Sequence, residues 1–120
     1  MLGDISRVDE IYLICGYTDL RKSIDGLSSV VEEILHFSAR RNALFLFCGR
    51  RCDRIKAIVW EGDGYLLLYK RLETGSFNWP RSCDEVKELT QQQYRWLMEG
   101  LSPEQKKHIP KVYPGRKGGV

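Results

Sequence analysis

Three apolar runs within 30 residues constrain this chain more than any other feature. They are ALFLFC (Ala43 to Cys48), RIKAIVW (Arg54 to Trp60) and YLLLYKRL (Tyr65 to Leu72). Each is too short for a buried helix and rich in β-branched or aromatic residues, so each reads as a strand. The last two are joined by EGDG, a strong hairpin turn. A further run, EIYLICG (Glu10 to Gly16), reads as a strand ending at glycine. FNWP (Phe77 to Pro80) reads as a short edge strand stopped by proline. The expectation is an α+β fold: an antiparallel meander of about five strands, one long helix on one face and a C-terminal helix.

The helices follow from a change of period. Within YTDLRKSIDGLSSVVEEIL, Leu20, Ile24, Leu27, Val31, Ile34 and Leu35 recur at three and four. Thr18 or Asp19 is the expected N-cap. That start puts Arg21 and Lys22 in the first turn, where the helix dipole disfavours cations. It also puts Gly26 in mid-helix, at about 1 kcal/mol relative to alanine. Both departures suit a segment aimed at a ligand and packed closely; exposed first-turn cations also occur without any such role. Further on, Thr90 and Gln93 form a capping box, Leu89 and Tyr94 a hydrophobic staple. Tyr94, Leu97, Met98 and Leu101 share a face, Gly100 suits the helix end, and Ser102, Pro103 and Gln105 suggest a short restart.

A chain of 120 residues is one domain's worth; residues 1–109 are read as that domain and 110–120 as a flexible basic tail. No apolar run approaches the ~18 residues of a membrane helix. No basic flank followed by an apolar stretch opens the chain, so a cytoplasmic protein is expected. The net charge is only +3, but residues 1–39 sum to −4 and residues 40–81 to +5. Concentrated positive charge points to an anionic partner, with nucleic acid first; a solvated basic face is the plainer alternative.

Strand parity locates the charge. Whether the EGDG loop has two or four residues, Arg54, Lys56, Ile58 and Trp60 share a face with Tyr65, Leu67, Tyr69 and Arg71. The opposite face, with Ile55, Ala57, Val59, Leu66, Leu68 and Leu72, is the better core and is expected to lie under the first helix; Lys70 is its exception. The candidate nucleic-acid-binding set is Arg21, Lys22, Arg50, Arg51, Arg54, Lys56, Lys70 and Arg71 for phosphates, with Tyr69 and Trp79 to stack or dock. Arg54 and Arg71 can also pair with Asp53 and Glu73, and a protein contact remains open. Cys48 and Cys52 have C-x3-C spacing without a second pair, so no metal or cofactor is expected. Cys15 and Cys48 look like small core hydrophobes. No P-loop, nucleophile elbow, H-E-x-x-H or dinucleotide fingerprint occurs, so the expectation is a non-catalytic protein.

The segments GYTDLRKSIDGL, LFLFCGRRCDRIKAIVWEGDGYLLLYKRLETGSFNWP and LTQQQYRWLMEGL resemble the TnpB accessory-protein family. These are products of the second open reading frame of bacterial insertion sequences numbered sixty-six, unrelated to the RNA-guided nucleases sharing the name. The resemblance implies a non-catalytic role in DNA transposition. It implies DNA (transposon ends or target) and the element's separate transposase subunit as partners, and no membrane. It carries over to Thr18, Asp19, Arg21, Lys22, Asp25 and Gly26, then Arg50, Arg51, Asp53, Arg54, Lys56, Trp60 and Gly64. It continues through Lys70 to Glu73, and to Gly75, Phe77, Trp79 and Pro80. HFSARRNA departs from the family pattern by replacing an Asp-Pro turn and adding two arginines.

Overall fold

The computed structural model describes residues 7–81 and 86–104. Five strands and two helices follow in the order β1 (Glu10–Ile14), α1 (Ile24–Leu35), β2 (Ala43–Cys48), β3 (Arg54–Trp60), β4 (Tyr65–Arg71), β5 (Val86–Leu89) and α2 (Gln91–Met98). They make one sheet ordered β4-β3-β2-β1-β5. The α+β class is as expected, but the sheet is mixed. β2–β3 and β3–β4 are antiparallel; β1 lies parallel to β2, with α1 as the connection. A parallel neighbour requires such a crossover, which a meander lacks. FNWP forms no strand. The fifth strand is instead β5, antiparallel to β1.

The central strand explains the layering. All six residues of β2 are buried, so both faces of the sheet are covered. Leu27 and Val31 of α1 pack with Ile14, Ala43, Phe45, Phe47 and Ile58 on one face. On the other, Tyr94 and Leu97 of α2, with Phe77 and Trp79, pack on Leu13, Leu44, Leu46, Ile55 and Ala57. The expected strand parity holds, with Arg54↔Arg71, Lys56↔Tyr69, Ile58↔Leu67 and Trp60↔Tyr65 in register. The side covered by α1 is the reverse of the expectation: the helix lies on the face that carries Arg54 and Lys56. Its apolar residues cover Ile58 and the phenylalanines of β2, leaving the Arg54 end of that face beyond the helix start.

That start is later than expected. Ser23, not Thr18 or Asp19, is the N-cap. Asp19 instead organises a tight turn: its carboxylate accepts from the Arg21 N–H at 3.0 Å and its carbonyl from the Lys22 N–H at 3.2 Å. Arg21 and Lys22 thus precede the helix, and Gly26 lies in its first turn beside the favourable Asp25. The capping box of α2 forms as expected, Thr90 accepting from the Gln93 N–H at 3.1 Å and Gln93 accepting from the Thr90 N–H at 2.8 Å. Leu101 is exposed rather than on the packed face. Ser102 to Glu104 are not helical, and the rest of the expected restart and the basic tail lie outside the described residues.

Residues 72–81 form a strap across the end of the sheet. The Leu72 N–H donates to the Asp53 carbonyl at 2.7 Å, Phe77 N–H to Cys52 at 2.7 Å, and Gly16 N–H to the Pro80 carbonyl at 2.9 Å. Trp79 pins the strap: its indole Nε1–H donates to the Ile14 carbonyl at 2.9 Å, and its ring is 6% exposed. Trp79→Phe keeps most of the apolar burial but leaves that buried carbonyl without its donor. It is expected to destabilise the fold by about 1–3 kcal/mol in urea unfolding; unchanged stability would show that the indole bond does not hold the strap.

Candidate nucleic-acid interface

Parallel β1 and β2 end together, and antiparallel β3 begins where β2 ends. β4, antiparallel to β3, ends there as well. Three segments distant in sequence, 17–22, 49–56 and 70–81, therefore meet at one end of the sheet. Among residues 17–22, 49–56, 70–73 and 81 stand nine cations and three carboxylates. Charged side chains at this end come from the loops and from the adjoining ends of β3 and β4, where Arg54, Lys56 and Lys70 are half-buried and Arg71 is exposed.

Arg50 and Arg51 occupy the β2–β3 turn, closed by the Cys52 N–H donating to the Gly49 carbonyl at 3.0 Å. Both are exposed and have no carboxylate within ion-pair distance among the described residues. Clefts flank this tip on both sides. One of about 400 Å³ is lined by Asp19, Leu20, Arg21, Arg54, Lys56 and Tyr69. Another of about 440 Å³ is lined by Arg50, Arg51, Arg81 and the strap. The pocket between them, about 350 Å³, is shared by Leu20, Gly49, Arg50, Arg51, Asp53 and Arg54.

Gly49 lets the 18–23 loop lie against the tip, and Gly26 in the first turn of α1 leaves room for the Lys22 side chain. A Cβ on Gly49 would stand 3.3 Å from Leu20 Cδ1, and one on Gly26 would stand 3.1 Å from Lys22 Cβ. The loop is fastened by the Thr18 N–H donating to the Cys48 carbonyl at 2.8 Å, and by Lys56 Nζ donating to the Lys22 carbonyl at 3.1 Å. Lys56 Nζ also lies 5.9 Å from the ring centre of Tyr69, itself 51% exposed.

Arg54 and Arg71 face each other directly across β3 and β4. Like charges in that position repel, and neighbouring carboxylates offset them: Asp53 Oδ1 at 3.2 Å from Arg54 Nε, and Glu73 Oε1 at 3.8 Å from Arg71 Nη2. Asp19 grips Arg21 through two nitrogens, at 2.7 Å to Nη2 and 3.0 Å to Nε. The Arg21 hydrogen bonds hold the Asp19 carboxyl down at about 2. Exposed pairs of this kind are weak and screened by salt.

The structure thus gathers Arg21, Lys22, Arg50, Arg51, Arg54, Lys56, Tyr69 and Arg71 at one end. Lys70 is on the opposite face of β4, paired with Ile55. Trp79 lies in the core and presents no ring face on which a base could stack. Sequence reasoning missed Arg81, whose guanidinium sits 5.7 Å over the ring of Tyr17 at the same end. Its place beside Trp79 and Pro80 was a usable signal once those were read as a strap. The two arginines of HFSARRNA are at the far end: Arg40 lies 5.0 Å over Trp60, and Arg41 pairs with Glu10 at 2.9 Å.

Cys48 is buried and its thiol pushed up by burial, and Cys52 is free in the tip turn. Cys15 is disulfide-bonded, not the free core hydrophobe expected, and its partner lies outside the described residues. Among the described residues no group of three His, Cys, Asp or Glu could hold a metal, and no helix is long and apolar enough to cross a membrane.

The family model described as IS66 Orf2 like protein matches residues 9–108. The chain is 31% identical over 114 residues to the uncharacterized protein y4jC of Sinorhizobium fredii (strain NBRC 101917 / NGR234), covering 95% of this chain and 97% of that relative. It is also 31% identical over 91 residues to y4hO of the same strain, also uncharacterized, covering 76% and 79%. No solved structure matches.

The depressed Asp19 value gives a signed pH dependence. The contact's contribution is full above the unfolded carboxylate value of ~4 and is lost as pH falls through about 2. A carboxyl NMR titration should show a midpoint for Asp19 near the lower figure. A midpoint at the unfolded value would show that the Arg21 fork does not persist in solution.

Proposed function

Because this chain belongs to the IS66 Orf2-like family, the transposition accessory proteins of IS66 insertion sequences, we propose that it serves transposition by binding DNA through the basic end of its sheet. The observation that carries this reading is the convergence of three segments around Arg50 and Arg51, which no carboxylate neutralises among the described residues. Arg50 and Arg51 meet backbone phosphates first. Arg21, Arg54, Lys56 and Arg71 extend the contact along the cleft on the α1 side, and Tyr69 offers an exposed ring at its wall. Arginine suits this role because its planar fork donates to two phosphate oxygens at once. No base-edge reader is assigned, so the mode is phosphate contact rather than sequence readout. The role is that of a non-catalytic accessory, with the element's transposase as the subunit it assists.

A second reading, docking on the transposase without DNA contact, is favoured by the exposed rings of Tyr17 and Tyr69 at the same end. The two separate by their response to salt. In the DNA reading, duplex affinity falls steeply with salt, and replacing Arg50, Arg51 and Arg54 with alanine lowers the slope of log K against log salt by roughly two to three. Circular dichroism should show the triple variant folded, since none of the three is buried. A parent that does not bind duplex DNA, or a triple variant that binds it with the parent's salt slope, sinks the DNA reading. Transposase capture lost on replacing Tyr17 and Tyr69 would then support docking.

A further inference from the structure

Strand β4 is an outer strand of the sheet and the longer of the two outer ones, with seven residues against four in β5. Its open edge is defined by the hydrogen bonding of the hairpin. The Leu72 N–H donates to Asp53 and the Glu61 N–H to Gly64, so the pairs 53↔72 and 61↔64 are of the hydrogen-bonded kind. Alternation then makes Ile55↔Lys70, Ala57↔Leu68 and Val59↔Leu66 bonded pairs as well. The N–H and C=O groups of Tyr65, Leu67, Tyr69 and Arg71 therefore point outward. Among the described residues no backbone group pairs with them. The edge has neither proline nor bulge, and its cations Lys70 and Arg71 stand only at one end. Natural edges are usually blunted along their length. Here Leu66, one residue from the start of the strand, is 39% exposed.

We propose that this edge pairs with β4 of a second copy of the chain, antiparallel, about a two-fold axis through Leu68. In that register Tyr65 faces Arg71 of the other copy and Leu67 faces Tyr69. All four outward residues then form hydrogen-bonded pairs. Leu66 faces Lys70, and Leu68 faces its own counterpart. The strand is self-complementary in this direction: its cationic end meets its neutral end, and no cation is opposed by a cation. A parallel copy would instead align Lys70 with Lys70 and Arg71 with Arg71. Shifting the antiparallel register by two residues either way leaves an outward residue unpaired. Pairing also covers Leu66 with the Leu68 side chain and the Lys70 stem of the other copy. The dimer uses the edge and not the tip that carries Arg50 and Arg51, although Tyr69 and Arg71 adjoin both.

The test is sedimentation equilibrium of the full chain, with the Leu66 charge pair as the probe. The parent should approach twice the 14.0 kDa monomer mass. Leu66→Lys places a cation opposite Lys70 twice per dimer, while Leu66→Glu places an anion there. The lysine variant is expected to dissociate roughly tenfold more readily than the glutamate variant. Both substitutions are at an exposed position, and thermal melts establish that each folds. In a Cys52→Ser background, oxidation should cross-link Leu68→Cys across the axis. It should not cross-link Leu66→Cys, which faces a lysine. A monomeric parent at all concentrations, equal dissociation of the two charge variants, or cross-linking through position 66 would overturn the proposal.

Discussion

Burial of β2 on both faces is the constraint from which the rest of the architecture follows. None of its residues is polar, and all six are buried. A strand of this kind must be central and must be covered twice. One cover is α1, which the parallel β1–β2 connection carries over Phe45 and Phe47. The other is assembled from α2 and the strap, with Phe77 and Trp79 filling the space over Leu46 and Ala57. With both faces occupied, charged side chains have only the ends and edges of the sheet. The basic end is thus a consequence of the layering as well as of where the arginines fall in the chain.

What could be read from the sequence was local. Strands β2 and β3 were read with the bounds they have, and β4 within one residue. The hairpin parity and the capping box follow from periodicity and short-range hydrogen bonding. What could not be read was non-local. VKEL is too short and polar to announce a strand, and becomes one only by pairing with β1. The side covered by α1 was misread, because apolar content favoured the face of Ile55, Ala57, Val59 and Leu68, which α2 and the strap cover instead. Asp19 was read as a helix cap, and it does cap a turn; the helix begins at the next competent residue, Ser23. Trp79 shows the limit most clearly. An aromatic residue in a basic segment looks like a stacking surface, and only the position of the strap reveals a buried ring with its indole on Ile14. Of the candidate site, Arg54, Lys56 and Arg71 were legible through parity and Arg50 and Arg51 through their place in the β2–β3 turn. Arg81 was not, because its neighbours were read as an edge strand.

The electrostatics of the basic end show a pattern that pure stability would not favour. Arg54 and Arg71 face each other across the ladder, and each leans on a carboxylate from an adjacent residue or turn. Local rules are broken most often where a site needs them broken. At the same end Gly49 leaves room for Leu20 to lie against the tip. Asp19, Asp53 and Glu73 limit the repulsion among Arg21, Arg54 and Arg71 through exposed or half-exposed ion pairs. Arg50 and Arg51 have no such neighbour among the described residues.

Tyr69 and Arg71 link the basic end to the open edge. Their side chains line or adjoin the cleft on the α1 side, while their backbone groups face outward from β4. An edge is ordinarily protected by an inward lysine or a bulge in mid-strand. At Tyr69 either device would rearrange the cleft, through the ring beside Lys56 and the register that sets Arg54 against Arg71. Leu66 could carry a protecting charge without touching the cleft, yet it is apolar. The edge thus carries cations, Lys70 and Arg71, at one end only, and antiparallel pairing would set that end against the neutral one. A two-fold through Leu68 then places the two basic ends at opposite ends of one continuous ten-stranded sheet, held in fixed relation by backbone hydrogen bonds rather than by a flexible linker.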